Sequence, residues 1–401
     1  MRRNIRLRLT AVVLPIVIGM LGTGLAVSQE PQKGAPKPPA YHLKGRALQT
    51  LRSFDNPEGT IFSEDGRWAF VSSSAELGMP DKGFHWTEKA GFISKLEVQA
   101  DGTLRMVSPK LISGLTAPLG MAVNPVATEK FPRGSIFLCT GGLPLADAAG
   151  TEISDPRRLT SKILVFDVDG KILGQIPWDP ESALARVTGA PATLPNAAAF
   201  DRDGNFYVTD TGLGGATLRP NLQTKPGVLM IPHESLDALA EGQRPPATPQ
   251  FLAMPMGADG IEASPVDGAI HVNSVGLAAG LNDPDRGGMW KLTREDFKAG
   301  RPPQPFAKVW GALDGLDFTA KGTRLDTQIL PPNYITVVAS GGRTVYSLDI
   351  EGLDHDLNGP ADIAVHKRSD GTSLLLIPEL SATSPNRNDN PVVVVRLPAD
   401  F

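Results

Sequence analysis

One cysteine, four tyrosines and six histidines in 401 residues leave little room for several common chemistries. The single thiol, Cys139, cannot make an internal disulfide or a multi-cysteine metal site, and no histidine spacing marks a partner for it as a nucleophile. No Gly-x-Ser-x-Gly segment is present, so the strand-to-helix nucleophile elbow is absent too. Lys and Arg number 39 against 43 Asp and Glu, a net charge of −4 that argues against a nucleic-acid partner. Long amphipathic helical patterns are also missing. In their place 42 glycines and 36 prolines punctuate short apolar runs, the composition of many short strands joined by turns.

The chain opens with Arg2, Arg3, Arg6 and Arg8, continues through an apolar stretch from Leu9 to Leu25, and reaches small residues at Ala26-Val27-Ser28. That order predicts a signal peptide over 1–28, export to the periplasm or beyond, a mature start near Gln29 and no stable membrane anchor after cleavage. Residues 29–44, with Pro31, Pro36, Pro38 and Pro39, read as an extended linker, which leaves 45–401 as one domain.

That domain is built from repeats. Glu58, Leu119, Asn196, Asp259, Asp314 and Asp362 each open a similar stretch: a short apolar run, then a turn such as Asp65-Gly66, Asp203-Gly204, Asp267-Gly268, Lys321-Gly322 or Asp370-Gly371, then a second apolar run. The starting positions lie 61, 77, 63, 55 and 48 residues apart, enough for a four-stranded unit with loops. One such unit cannot bury its own faces, so the fold belongs to the array. Six units of four strands predict an all-β, six-bladed β-propeller. The last unit supplies only three evident strands, and Gly45–Leu51 is the natural fourth, closing the ring against the C-terminal blade.

The repeated position begins each inner strand, at the rim opposite the tight turns. The long connections Ser73–Gly91, Thr140–Ser161, Thr211–Pro226 and Ser274–Gly288 return to that same rim, which marks it as the functional face. Those loops carry His85, Trp86, Arg157, Arg158, Arg219, Asn221 and Arg286 as a group of candidate contacts, with no individual substrate-binding residue assigned. Glu58, Asn196, Asp259 and Asp314 offer hard oxygen donors with no nearby cysteine or histidine. They predict a divalent-cation site, with calcium favoured and magnesium the alternative. Asp362 either completes that shell through water or holds backbone of the sixth unit. Asp201–Asn205 has some likeness to a calcium loop but coincides with a repeated hairpin and lacks the downstream glutamate, so it reads as a turn. His271 reads as a packed, hydrogen-bonded histidine and Cys139 as a small core hydrophobe.

Pro57-Glu58-Gly59, Pro195–Asp201 with Tyr207–Asp210, Asp259-Gly260-Ile261, Asp314-Gly315-Leu316 and Gly359–Ile363 together resemble the gluconolactonase and regucalcin family of six-bladed propellers. The resemblance implies one catalytic divalent ion held by Glu58, Asn196, Asp259 and Asp314, with Asp314 both touching the ion and acting as base. Asp259 stands where relatives often have asparagine, and Ala197 where glycine or aspartate is common. The reading is an exported, calcium-dependent hydrolase of lactones or similar small esters, acting on a small-molecule substrate. The alternative is a noncatalytic extracytoplasmic propeller that binds a ligand or protein through its loop-rich face.

Overall fold

Short runs in which nearly every side chain is apolar or small, such as Ile136–Thr140 and Gly227–Ile231, can be satisfied only by strands covered on both faces, and sheets stacked face to face provide that cover. In the computed structural model the described residues are 42–75, 86–142, 145–147, 149, 151, 153, 160–212, 225–254, 257–275, 288–307, 311–330, 332–342, 345–380, 390–399 and 401. The proposed leader and most of the linker therefore lie outside them, as do His85, Arg157, Arg158, Arg219, Asn221 and Arg286. No helix among the described residues is long and apolar enough to cross a membrane.

Among the described residues the fold is all-β, with three short α-helices and one 3-10 turn. The first four repeats each form an antiparallel four-stranded sheet. Their innermost strands are Pro57–Phe62, Pro118–Val123, Pro195–Phe200 and Ala258–Ala263. The fifth and sixth repeats, with inner strands Leu313–Phe318 and Ala364–Lys367, share an eight-stranded sheet. What joins them is the N-terminal strand, His42–Phe54, which is longer at both ends than the Gly45–Leu51 stretch read from sequence. It pairs antiparallel with the C-terminal strand Asn390–Leu397, as expected, and also parallel with Val345–Glu351, the outer strand of the fifth repeat, which was not expected.

Each inner strand touches the inner strand of the next repeat, and the last touches the first, the arrangement of a propeller. Between sheets the core is aromatic and aliphatic. Phe137 of the second sheet meets Phe200 and Phe206 of the third at centroid distances of 5.0 and 5.1 Å. Cys139 is fully buried in the same cluster, as a small hydrophobe.

All the inner strands of the first five repeats have the same bulge. Pro57 pairs with Ser73 and Thr60 with Val71, so the inner strand carries one residue more than its neighbour; Ala258–Ser274 with Ile261–Val272 repeats the pattern. The repeated residue lies inside that bulge. The glycine that follows it is required by close approach: a Cβ on Gly59 would sit 2.2 Å from the Leu119 carbonyl oxygen, and one on Gly260 2.2 Å from that of Asp314.

Candidate functional site

The bulge brings one turn of each inner strand to a common axis. Residues of all six, among them Thr60, Met121, Ala198, Glu262, Asp317 and Asp362, line a single cavity of about 40 Å³ there. Glu58, Asn196, Asp259 and Asp314, the residues expected to hold a cation, are each less than a tenth exposed.

Three of these are placed against one another. The Asp259 and Asp314 carboxyls stand against each other, and burial together with the charges of Asp314 and Glu58 pushes the Asp259 carboxyl well above the usual range. Glu58 is driven the same way by burial first and then by Asp314 and Asp362. Asp314 is raised by burial and then by Asp362. One oxygen of Glu58, Oε2, and one of Asp259, Oδ1, are buried with no hydrogen-bond partner. Asn196 Nδ2 donates to Thr211 Oγ1 at 3.1 Å, which leaves the amide oxygen as its free donor atom. None of the ion pairs among the described residues reaches these acids. Buried carboxyls crowded together, two of their oxygens orphaned and no basic side chain among the described residues paired with them, make a donor set that fits a hard divalent ion. Among the described residues, though, no group of three or more His, Cys, Asp or Glu side chains stands in metal-binding geometry.

The structure corrects the sixth repeat by one residue. Pro360 bridges to Glu379 as Pro57 pairs with Ser73, and the next pairing, Ala364 with Leu376, shows the same one-residue excess on the inner strand. Side chains from the second strands confirm the phase. Ser72 Oγ donates to the Leu119 carbonyl at 2.8 Å and Asn273 Nδ2 to the Asp314 carbonyl at 2.9 Å, and Thr327 Oγ1 donates correspondingly to the carbonyl of Ala361. Ala361 therefore occupies the repeated position, and Asp362 stands where Gly59, Gly120, Gly260 and Gly315 stand in other repeats. Of the two roles read for Asp362 the structure shows a backbone one, although across a boundary: its Oδ2 accepts the Thr60 amide of the first repeat at 2.9 Å.

Two acids not singled out from sequence complete the axis. Glu262 and Asp317 each lie three residues after a ring aspartate, and the bulge turns both into the same cavity. Burial, then Asp317 and Asp362, push Glu262 well above the usual range; burial and Asp362 bring Asp317 to about 7 despite its bonds from the Phe318 and Val365 amides. Burial raises Asp362 to about 7 as well, against the amides of Thr60 and Ile363.

Other candidates are accounted for structurally. His271 is buried, held neutral with its pKa lowered to about 3 by burial and by Arg324, and accepts a bond from Arg324 Nη1 at 3.1 Å. Asp201 fills its own turn, accepting the Asp203 and Asn205 amides at 3.0 and 2.9 Å. Asp210, raised to about 6 by burial, accepts the amides of Thr193, Leu194 and Gly212. Trp86, the one described member of the loop group, is buried and sits in a two-residue strand paired with Leu145–Ala146.

No family model matches the chain, and no curated protein matches it in sequence. Solved structures do match it in shape. A gluconolactonase from Xanthomonas campestris is similar at 16% identity and a TM-score of 0.52, over 90% of this chain and 98% of that one. A PQQ-bound aldose sugar dehydrogenase from Streptomyces coelicolor is similar at 13% and 0.51, over 90% and 100%. The allergen Mala s 1 of Malassezia sympodialis follows at 12% and 0.50, over 86% and 95%. The fold is thus gluconolactonase-like, as the sequence motifs implied. Identities this low carry the fold alone, and proteins with three different descriptions share it.

Proposed function

We propose that the chain is a six-bladed propeller closed by its N-terminal strand, exported by cleavage after Ser28, and that it hydrolyses lactones or similarly small esters with a divalent cation, calcium before magnesium. The observation that carries this reading is the group of buried, mutually repelling acids with unpartnered oxygens at Glu58 and Asp259. Carboxylates at contact distance in a weakly polar interior repel by several kcal/mol, in the order-of-magnitude sense, and such a conflict persists only where something offsets it.

Glu58, Asp259, Asp314 and the amide oxygen of Asn196 would hold the ion. When bound it polarises the ester carbonyl and stabilises the charge developing on that oxygen. Asp314, in its carboxylate form, accepts a proton from water as the water oxygen bonds to the carbonyl carbon. The ring C–O bond then breaks, and the same proton passes to the departing alkoxide. Asn196 and Glu58 keep the carbonyl end in place and need not titrate. No covalent nucleophile is required.

Turnover of a lactone panel against calcium concentration tests the scheme. Asp314→Asn keeps an oxygen donor and removes the base, so at saturating calcium it should lose roughly a hundredfold to ten-thousandfold in rate. Glu58→Gln should need more calcium yet recover part of its activity. Wild-type rates in Asp314→Asn would overturn the assignment. For export, N-terminal sequencing of secreted protein should read from Gln29; an intact Met1 chain embedded in membrane would refute cleavage.

A further inference from the structure

Glu58 stands apart from the other three ring residues. Asn196, Asp259 and Asp314 follow one another in repeats three to five, whereas Glu58 lies between Leu119 of the second repeat and Ala361 of the sixth, neither of which has an oxygen-bearing side chain. Its placement therefore depends on how the first inner strand is tied to its neighbours.

On one side the tie runs from Ser72 of the first repeat to the Leu119 carbonyl of the second, as Asn273 and Thr327 tie the fourth repeat to the fifth and the fifth to the sixth. On the other side that donor is missing, as it also is in the second and third repeats, where Cys139 and Thr209 stand in its place and Thr209 bonds Ala197 of its own repeat instead. The sixth-repeat counterpart of Ser72, Asn273 and Thr327 is Pro378, which has no side chain able to donate to the Glu58 carbonyl. At this boundary alone the following glycine is replaced by an acid, and the carboxylate of Asp362 accepts the Thr60 amide, two residues beyond Glu58. The bond spans 302 residues and joins the segment that leads into the sixth repeat's inner strand to the inner strand of the first repeat. Asp317 makes a similar tie one boundary earlier, accepting the Val365 amide at 2.6 Å.

We propose that Asp362 is a positioning residue, substituting for the tie that Pro378 cannot make and thereby fixing Glu58 opposite Asp259 and Asp314. It acts through Glu58 and is not itself a ligand. The inference rests on the cation reading for its consequence, but the clasp to Thr60 does not.

Two measurements test it. In metal-free protein, exchange of the Thr60 amide should speed up markedly in Asp362→Gly, which restores the residue of the other repeats, and stay near wild type in Asp362→Asn, which keeps an acceptor oxygen. Calcium affinity, read by competition with a fluorescent chelator, should fall roughly tenfold to a hundredfold in Asp362→Gly, the usual cost of losing a group that orients a ligand. Asparagine should restore most of it. In a Glu58→Gln background, Asp362→Gly should cost little more, because the two changes remove one contribution. Additive losses, or asparagine as damaging as glycine, would make Asp362 a ligand and overturn the proposal. Unchanged Thr60 exchange in Asp362→Gly would remove the clasp. If wild type takes up no calcium, the cation reading fails by itself, and Thr60 exchange still decides the clasp.

Discussion

Gly260 shows how tightly single residues are specified around the axis. Its missing side chain lets the Asp314 carbonyl approach to where a Cβ would stand, at 2.2 Å, and Asn273 fixes that carbonyl from the other side. Gly260→Ala must push the Asp314 backbone away, so it should cost about 1–3 kcal/mol by overpacking and weaken calcium binding with it. Thermal melts and a calcium titration of the variant check both; an unchanged melt would mean that the approach is looser than described. At this scale much was legible in the sequence. Glu58, Asn196, Asp259 and Asp314 were marked by their recurrence. Glu262 and Asp317 were not, because strand alternation sends residue i+3 to the opposite face, and only the bulge, invisible in one sequence, brings it back. The sequence did hold a trace: Asp259-Gly-Ile-Glu262 and Asp314-Gly-Leu-Asp317 share one acid spacing. Asp362 was misphased for a related reason, since an acid before an apolar run looks the same one position out of register.

Among the elements, the N-terminal strand carries the most consequence. It is interior to an eight-stranded sheet, with Gln49 bonded to the Leu104 backbone and Thr50 to Asp354 at 3.0 Å. Removing residues up to Phe54 would expose the edges of Val345–Glu351 and Asn390–Leu397 together. The truncated protein should melt at lower temperature and self-associate, measured by calorimetry and light scattering; a monomer as stable as the parent would show that this strand is dispensable. The pairing with the C-terminal strand was readable, because the last repeat was visibly one strand short. The parallel pairing with Val345–Glu351 was not, since nothing in a local pattern reports a partner some 300 residues away.

For the whole molecule, the acids around the axial cavity set an unusual dependence on pH. Carboxyls unfolded near 4 and folded at about 7, as for Asp317 and Asp362, favour the protonated native state. Their stabilisation is complete below about pH 4 and is lost as pH rises through 7. His271, lowered to about 3, opposes this by losing stability as pH falls below about 6.5, but it is one group against several. Metal-free protein should therefore melt lower at pH 7 than at pH 5, and calcium should reverse the order, because the ion binds the deprotonated acids. A melt that rises from pH 5 to 7 without metal would count against a cluster of buried acids at the axis.

The most direct test of the account is a calorimetric titration of calcium into folded, metal-stripped protein at pH 7, repeated in two buffers of different ionisation enthalpy. One ion per chain should bind, with protons released from the Asp259–Asp314 pair and its neighbours, so the apparent enthalpy should differ between buffers. Folded protein that takes up neither calcium nor magnesium would contradict the cation site, and with it the hydrolytic mechanism built on Asp314.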